Sequence, residues 1–279
     1  MMATAFFLRL FTSIKTDHLY ESMMTTLVGL IKCIIKECIV RLHVLKRLAI
    51  RYCIHNELFP SLFVHTPSSI LREMLELPPT KYQTQLNQDI FALLMNRFRP
   101  GFFLEIGAND GFTFSNTVYL ENEFGWAGIL VEANQKYMTS LAQRKNSVVV
   151  NKAVSTQNGE ADFIDAGLYG GLKASLADNH YKHTKDAACI KVECMGLQEI
   201  LDKVAAPDRI DFVSVDVEGG ELSIVEQIVS VNRRFRCGCI EYNDRKNDYA
   251  IMVLLLKRAG YRVIWENKTG HDLFFHDDK

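Results

Sequence analysis

Apolar residues at Leu27, Ile31, Ile34, Cys38, Leu42, Leu45 and Ala49 recur at alternating intervals of four and three, the stripe of an amphipathic helix. At 100° per residue, Lys32, Lys36, His43 and Arg47 fall on the opposite face. This face packs on a domain or partner, or lies on an anionic membrane surface. Residues 56–80 then hold four of the six prolines, Pro60, Pro67, Pro78 and Pro79. They mark the expected boundary between an N-terminal helical extension, 1–80, and a catalytic domain, 81–279.

Beyond residue 80 the period changes. "NQDIFALLMNRF" predicts a helix stopped by Pro100-Gly101. "FFLEIG", "GWAGILVEA", "SVVVNKAV", "RIDFVSVDVEG" and "CGCIEYN" are short β-rich runs. Helical stretches at Gln135–Arg144, Leu222–Ser230 and Asp248–Ala259 separate several of them. Strand runs apolar on both faces and interleaved with helices predict a parallel sheet covered on both sides. The closing "YRVIWEN" and "DLFFHDD" predict a terminal hairpin pair. "GLYGGLKASLADNHYKHTK" carries three glycines between strands and reads as a segment able to close over a substrate; its His180 and His183 also suit a solvated loop.

The first strand breaks into "GANDG". Gly107 and Gly111, four apart around a polar pair, let the backbone approach another molecule, and ligands of open α/β sheets bind beyond the strand carboxyl ends. Tight helix–strand packing alone also explains such a turn. The next strand ends in Glu132, placed about 20 to 25 positions on to accept two ribose hydroxyls. The middle glycine of a dinucleotide turn is missing, which disfavours a nicotinamide-dependent dehydrogenase. A nucleoside cofactor without phosphates fits, and S-adenosylmethionine is one. Downstream, "VSVDVEGGE" puts Asp216 and Glu218 at alternating positions of a strand end. There they need a partner such as an ammonium, a substrate hydroxyl or a metal. Glu218 and Glu221 also suit the N-terminus of the following helix.

Composition narrows this little. The chain has 279 residues, 48% of them apolar and 23% charged, as in an ordinary folded protein, and a net charge of −1 gives no reason to expect nucleic acid. Seven cysteines without a CxxC pair read as reduced thiols of a cytoplasmic protein. The first 60 residues carry a net charge of +4, which is compatible with peripheral membrane contact through residues 24–53 as the alternative to packing on a domain or partner. No run of about 18 uninterrupted apolar residues predicts a spanning helix.

Taken together, "FLEIGANDG", "GILVEAN", "NKAVS" and "DFVSVDVEGGE" make residues 85–276 resemble the FkbM family of S-adenosylmethionine-dependent methyltransferases. The resemblance implies a class I methyltransferase (Rossmann-like) α/β fold: a seven-stranded, mostly parallel sheet with helices on both faces and an antiparallel last strand. It implies O-methylation of a small-molecule or glycan hydroxyl. Glu105, Gly107, Asn109 and Gly111 would wrap the methionine moiety, and Glu132 would bind the ribose. Lys152, Ala153 and Val154 would edge the adenine, and Asp216 would lie beside the sulfonium. Ala133 replaces a proline frequent in the family. An acceptor hydroxyl must lose its proton, with Asp216, Glu218, His180 or His183 as candidate bases. Mg²⁺ held by Asp216, Glu241, Asn243 and Asp244 is an alternative way to lower the hydroxyl pKa. The rival class is a non-catalytic scaffold that keeps the fold and works through its basic helix.

Overall fold

The structure, a computed structural model, describes residues 49–50, 52, 63, 66–82, 84–176, 181–242, 245–266 and 270–277. The basic helix expected over 24–53, with its membrane contact, lies almost wholly outside them, as do His180, Asn243 and Asp244. The chain divides into two compact units, 1–49 and 50–279. The second is described here.

Its centre is a seven-stranded sheet built from β1 (Phe102–Ile106), β2 (Ala127–Val131), β3 (Ser147–Val150), β8 (Arg209–Val215), β9 (Arg234–Glu241), β10 (Tyr261–Ile264) and β11 (Asp272–Asp277), in the order β10-β11-β9-β8-β1-β2-β3. Only β11 runs antiparallel to its neighbours, inserted between β9 and β10. This is the class I methyltransferase architecture. The expected terminal hairpin is present, and its second strand lies inside the sheet.

Strand parity explains the two-sided core. Phe103, Leu130, Phe212, Cys237 and Phe274 point into one apolar cluster, while Leu104, Ile129, Val213, Ile240 and Phe275 point into the other. Helices α1 (Ser68–Leu75), α2 (Gln88–Met95) and α3 (Val118–Phe124) cover the first face. Helices α4 (Leu197–Lys203), α5 (Glu221–Ile228) and α6 (Lys246–Arg258) cover the second. All eight residues of α2 are buried, as expected of a helix apolar nearly all round.

The expected line at residue 80 runs through packed structure. Arg72 on α1 pairs with Asp89 on α2 at 2.6 Å and lies 3.7 Å over the Tyr119 ring, whose hydroxyl donates to the Pro78 carbonyl at 2.7 Å. Leu71, Leu75 and Leu77 belong to the same core as the sheet. Prolines 67, 78 and 79 therefore punctuate a folded segment.

A second sheet was not foreseen. Strands β4 (Ala153–Val154), β5 (Gly159–Asp165), β6 (Gly171–Leu172) and β7 (Ala188–Met195) form it in the order β4-β7-β5-β6. "SVVVNKAV" is thus two strands in two sheets. Between them the Asn151 side chain donates to the carbonyls of Glu132 and Ala133, both at 2.9 Å. The "GLYGG" stretch is partly ordered, as a single 3₁₀ turn (Gly167–Tyr169) leading into β6.

Candidate active site

From β1 the chain moves to β2 and β3 on one side of the sheet, then crosses back to β8 on the other. Strands diverging this way leave a crevice at their carboxyl ends. There lies a cavity of about 360 Å³, walled by the β1, β2, β8 and β9 tips and by the inserted second sheet, within the size range of small-molecule sites.

The glycine turn forms one wall. Gly107 has φ +85°, and a Cβ built on it would lie 1.7 Å from the Asp216 carbonyl oxygen, so only glycine lets β1 and β8 close together here. Asn109 sits in the left-handed region at φ 48°, a conformation asparagine tolerates. Its backbone N–H donates to Glu132 at 2.9 Å, and the other Glu132 oxygen accepts from the Asn134 N–H at 2.7 Å. Burial pushes the Glu132 carboxyl up to about 7, opposed by these two bonds. Ala153 and Val154 line the adjoining wall, and so does Lys152, which is ion-paired with Glu193.

Of two expected ligand residues, Glu105 lines the cavity with its oxygens engaged by the following loop, and Gly111 lies behind it. Glu105 is 5% exposed, and its oxygens accept from Ser115 Oγ at 3.0 Å, Thr117 Oγ1 at 2.5 Å and the Asn116 N–H at 2.9 Å. It shapes the following loop. Gly111 (φ +80°) is not among the cavity walls, and its carbonyl accepts from buried Arg144 at 2.6 Å. It turns the chain behind the site.

The opposite wall is acidic. Carboxylate oxygens of Asp216, Glu218 and Glu241 all lie within 4.8 Å of one another. Asp216 and Glu241 share a hydrogen bond, which two carboxyls form only when one is protonated. Burial, then the neighbouring Glu241, raises the Asp216 carboxyl well above its usual range; burial raises Glu241 to about 7, while the bond from Asp216 lowers it. The pair therefore holds one proton between its two carboxyls. Glu218 reaches the group by another route than strand alternation: β8 ends at Val215, and Glu218 has φ 62°. Glu221 accepts from the Val217 and Gly219 N–H groups at 3.2 and 2.9 Å, as its place at the start of α5 implies. His183 is exposed and stacks on Tyr169 at 4.0 Å, a solvated position. Of the four ligands expected for Mg²⁺, only Asp216 and Glu241 are described, and the bond between them is one a shared proton supplies.

Sequence reading missed Glu241 as an acid–base group and Asn116 altogether. The tip of "CGCIEYN" was the available signal for Glu241. Nothing local marks Asn116.

The match to known proteins agrees with this geometry. The Methyltransferase FkbM domain model matches residues 105–263, more than half of the chain. The protein belongs to the FkbM family of S-adenosylmethionine-dependent methyltransferases. Solved structures similar to it include a putative caffeoyl-CoA O-methyltransferase from Staphylococcus aureus (11% identity, 83% of this chain and 98% of that one, TM-score 0.40). A precorrin-6y C5,15-methyltransferase from Geobacter metallireducens GS-15 is 14% identical over 71% of this chain and 89% of its own, with TM-score 0.39. The O-methyltransferase TomG from Streptomyces achromogenes, solved with SAM, is 12% identical over 78% and 91%, with TM-score 0.37. No curated protein matches in sequence.

Proposed function

We propose that this cavity binds S-adenosylmethionine and that the enzyme methylates a hydroxyl of a small molecule or glycan. The observation that carries the reading is the crowd of carboxyls on the wall, which a cation entering the cavity would favour in their ionised form. Glu105, Glu132, Asp216, Glu218 and Glu241 line it, while the one lysine or arginine among its described lining residues, Lys152, is ion-paired with Glu193. Such a wall suits a ligand of net positive charge, and S-adenosylmethionine, with a sulfonium and an ammonium against one carboxylate, is one.

S-adenosylmethionine supplies a methyl already activated on sulfur, so the methyl–sulfur bond breaks as the methyl–oxygen bond forms and the hydroxyl releases a proton. The chain's part is alignment and proton removal. Glu132 holds the ribose hydroxyls and Ala153 flanks the adenine. The glycine turn brings the backbone against the ligand. Glu241, raised by burial to about 7, receives the proton, because a base with pKa near the working pH is the most effective.

The test uses ¹³C-methyl S-adenosylmethionine with a small-molecule extract. Methyl carbons at O-methyl chemical shifts are the expected outcome. N-, C- or S-linked methyls would overturn the acceptor class, and binding without any transfer would favour the scaffold reading. Glu132→Ala should lower donor affinity by about 1.5–3 kcal/mol in calorimetry.

A further inference from the structure

Among the described residues, few buried side-chain polar atoms lack a hydrogen-bond partner, and two of them, Asn116 Oδ1 and Asp216 Oδ1, belong to residues lining the same cavity. Both are acceptors. A buried acceptor left without a donor is costly, and in a native fold each such atom calls for an explanation.

The two belong together. The Asn116 backbone N–H donates to Glu105 Oε1 at 2.9 Å, and its Nδ2 donates to Ser214 Oγ at 2.9 Å. That anchors the amide from both ends and leaves Oδ1 as its one unmatched atom. Ser214 lies on β8, two residues before Asp216, which follows the end of the strand. Asn116 therefore bridges the loop after the glycine turn to the stretch that ends in Asp216. Asp216 also shares a hydrogen bond with Glu241.

The missing donors come from a ligand, and the layout says from which end of it. Glu132 and Ala153, at the β2 and β3 side, hold the nucleoside half. The opposite end of the same molecule then reaches the β1 and β8 tips, where Asn116 and Asp216 stand. At that end S-adenosylmethionine carries an α-carboxylate and an α-ammonium, and of the two only the ammonium has N–H donors to offer these acceptors.

We infer that Asn116 is a binding residue for the methyl donor, its side-chain carbonyl and Asp216 Oδ1 each accepting an N–H of the donor's α-ammonium. This rests on the reading that S-adenosylmethionine fills the cavity. Ser214 and Glu105 hold Asn116 in place for this role.

The test is a calorimetric comparison on the full chain of S-adenosylhomocysteine with its analogue lacking the α-amino group. Wild-type protein should bind the amino form more tightly, by about ten- to a hundred-fold. Asn116→Leu should shrink that ratio while leaving affinity for the deamino analogue unchanged. Asn116→Asp, which keeps an acceptor in place, should preserve the ratio and serves if the leucine variant does not fold. Equal binding of the two ligands by wild type, or equal weakening of both by Asn116→Leu, overturns the inference. Failure of wild type to bind either ligand overturns the S-adenosylmethionine reading itself.

Discussion

Gly107 and Asp216 meet backbone to backbone: a Cβ on Gly107 would lie 1.7 Å from the Asp216 carbonyl oxygen and 2.8 Å from its carbon. The Asp216 N–H in turn donates to the Ile106 carbonyl at 3.0 Å. The glycine turn and the acidic tip of β8 are thus one structure. The first consequence of losing either is displacement of the other.

Gly107→Ala should therefore do more than strain one residue. Alanine at positive φ costs roughly 1–2 kcal/mol by itself, and here a methyl must also displace main chain. Gly125→Ala is the control, since Gly125 has φ +65° with nothing within 4 Å of its Cβ position. Urea denaturation should show a loss of roughly 1 kcal/mol for Gly125→Ala and a much larger loss, with abolished donor binding, for Gly107→Ala. Comparable stabilities would mean that β1 and β8 separate easily.

Much of this was legible in the chain because the relevant physics is local. A buried strand, a glycine turn and an acid at the next strand tip are separated by a few tens of residues, and parity alone puts Phe103 and Leu104 on opposite faces. The second sheet was less legible. Its longest strand alternates Ile190, Val192 and Cys194 with Lys191 and Glu193, a signal present in the sequence but weak, since only Val192 and Cys194 are buried. Glu105 looked like a ligand residue because it precedes the turn. Its engagement by Ser115, Asn116 and Thr117 depends on how the loop folds back. Prolines suggested a boundary at residue 80, yet leucines at 71, 75 and 77 bury the same segment.

Arg144 holds that loop in place. Fully buried, it donates to Glu121 at 2.7 Å, Thr117 Oγ1 at 2.9 Å and the Gly111 carbonyl at 2.6 Å, and approaches Glu105 at 4.0 Å. Arg144→Met would leave two buried carboxylates without their cation. Breaking one side of a buried pair costs about 3–5 kcal/mol, so the variant should unfold at markedly lower denaturant. A change under about 1 kcal/mol, the value of an exposed pair, would show that water replaces the guanidinium.

Acidity should act oppositely on stability and on turnover. Glu132 and Glu241, ordinarily near 4.5, and Asp272, ordinarily near 3.8, are each raised by burial to about 7 in the folded protein. Between those limits the native state binds more protons than the unfolded one, so stability falls as pH rises. The ligand-free protein should melt at higher temperature at pH 5.5 than at pH 7.5. Turnover should rise over the same interval as Glu241 loses its proton. A melting temperature that climbs with pH through this window would contradict the burial of these carboxyls.

Asp216 and Glu241 share a proton, yet their substitution should separate two functions. Asp216 lines the cavity and shares one proton with Glu241, so Asp216→Asn retains an acceptor there but takes from the pair the negative charge available to an ammonium. Donor affinity should drop by about 1–3 kcal/mol with a smaller loss in turnover at saturation. Glu241→Gln leaves the donor contacts in place and removes the base. Its turnover should fall by roughly 10²–10⁴-fold while S-adenosylhomocysteine affinity stays near wild type. The neutral-pH rise in kcat should disappear with it. If instead Asp216→Asn carries the large loss in turnover and binds the donor normally, the proton acceptor is Asp216, and the order of the two acids is reversed. Calorimetry on both variants, paired with saturating-donor kinetics, distinguishes the two assignments, because an ammonium ligand changes affinity and a base changes the rate of the bound complex.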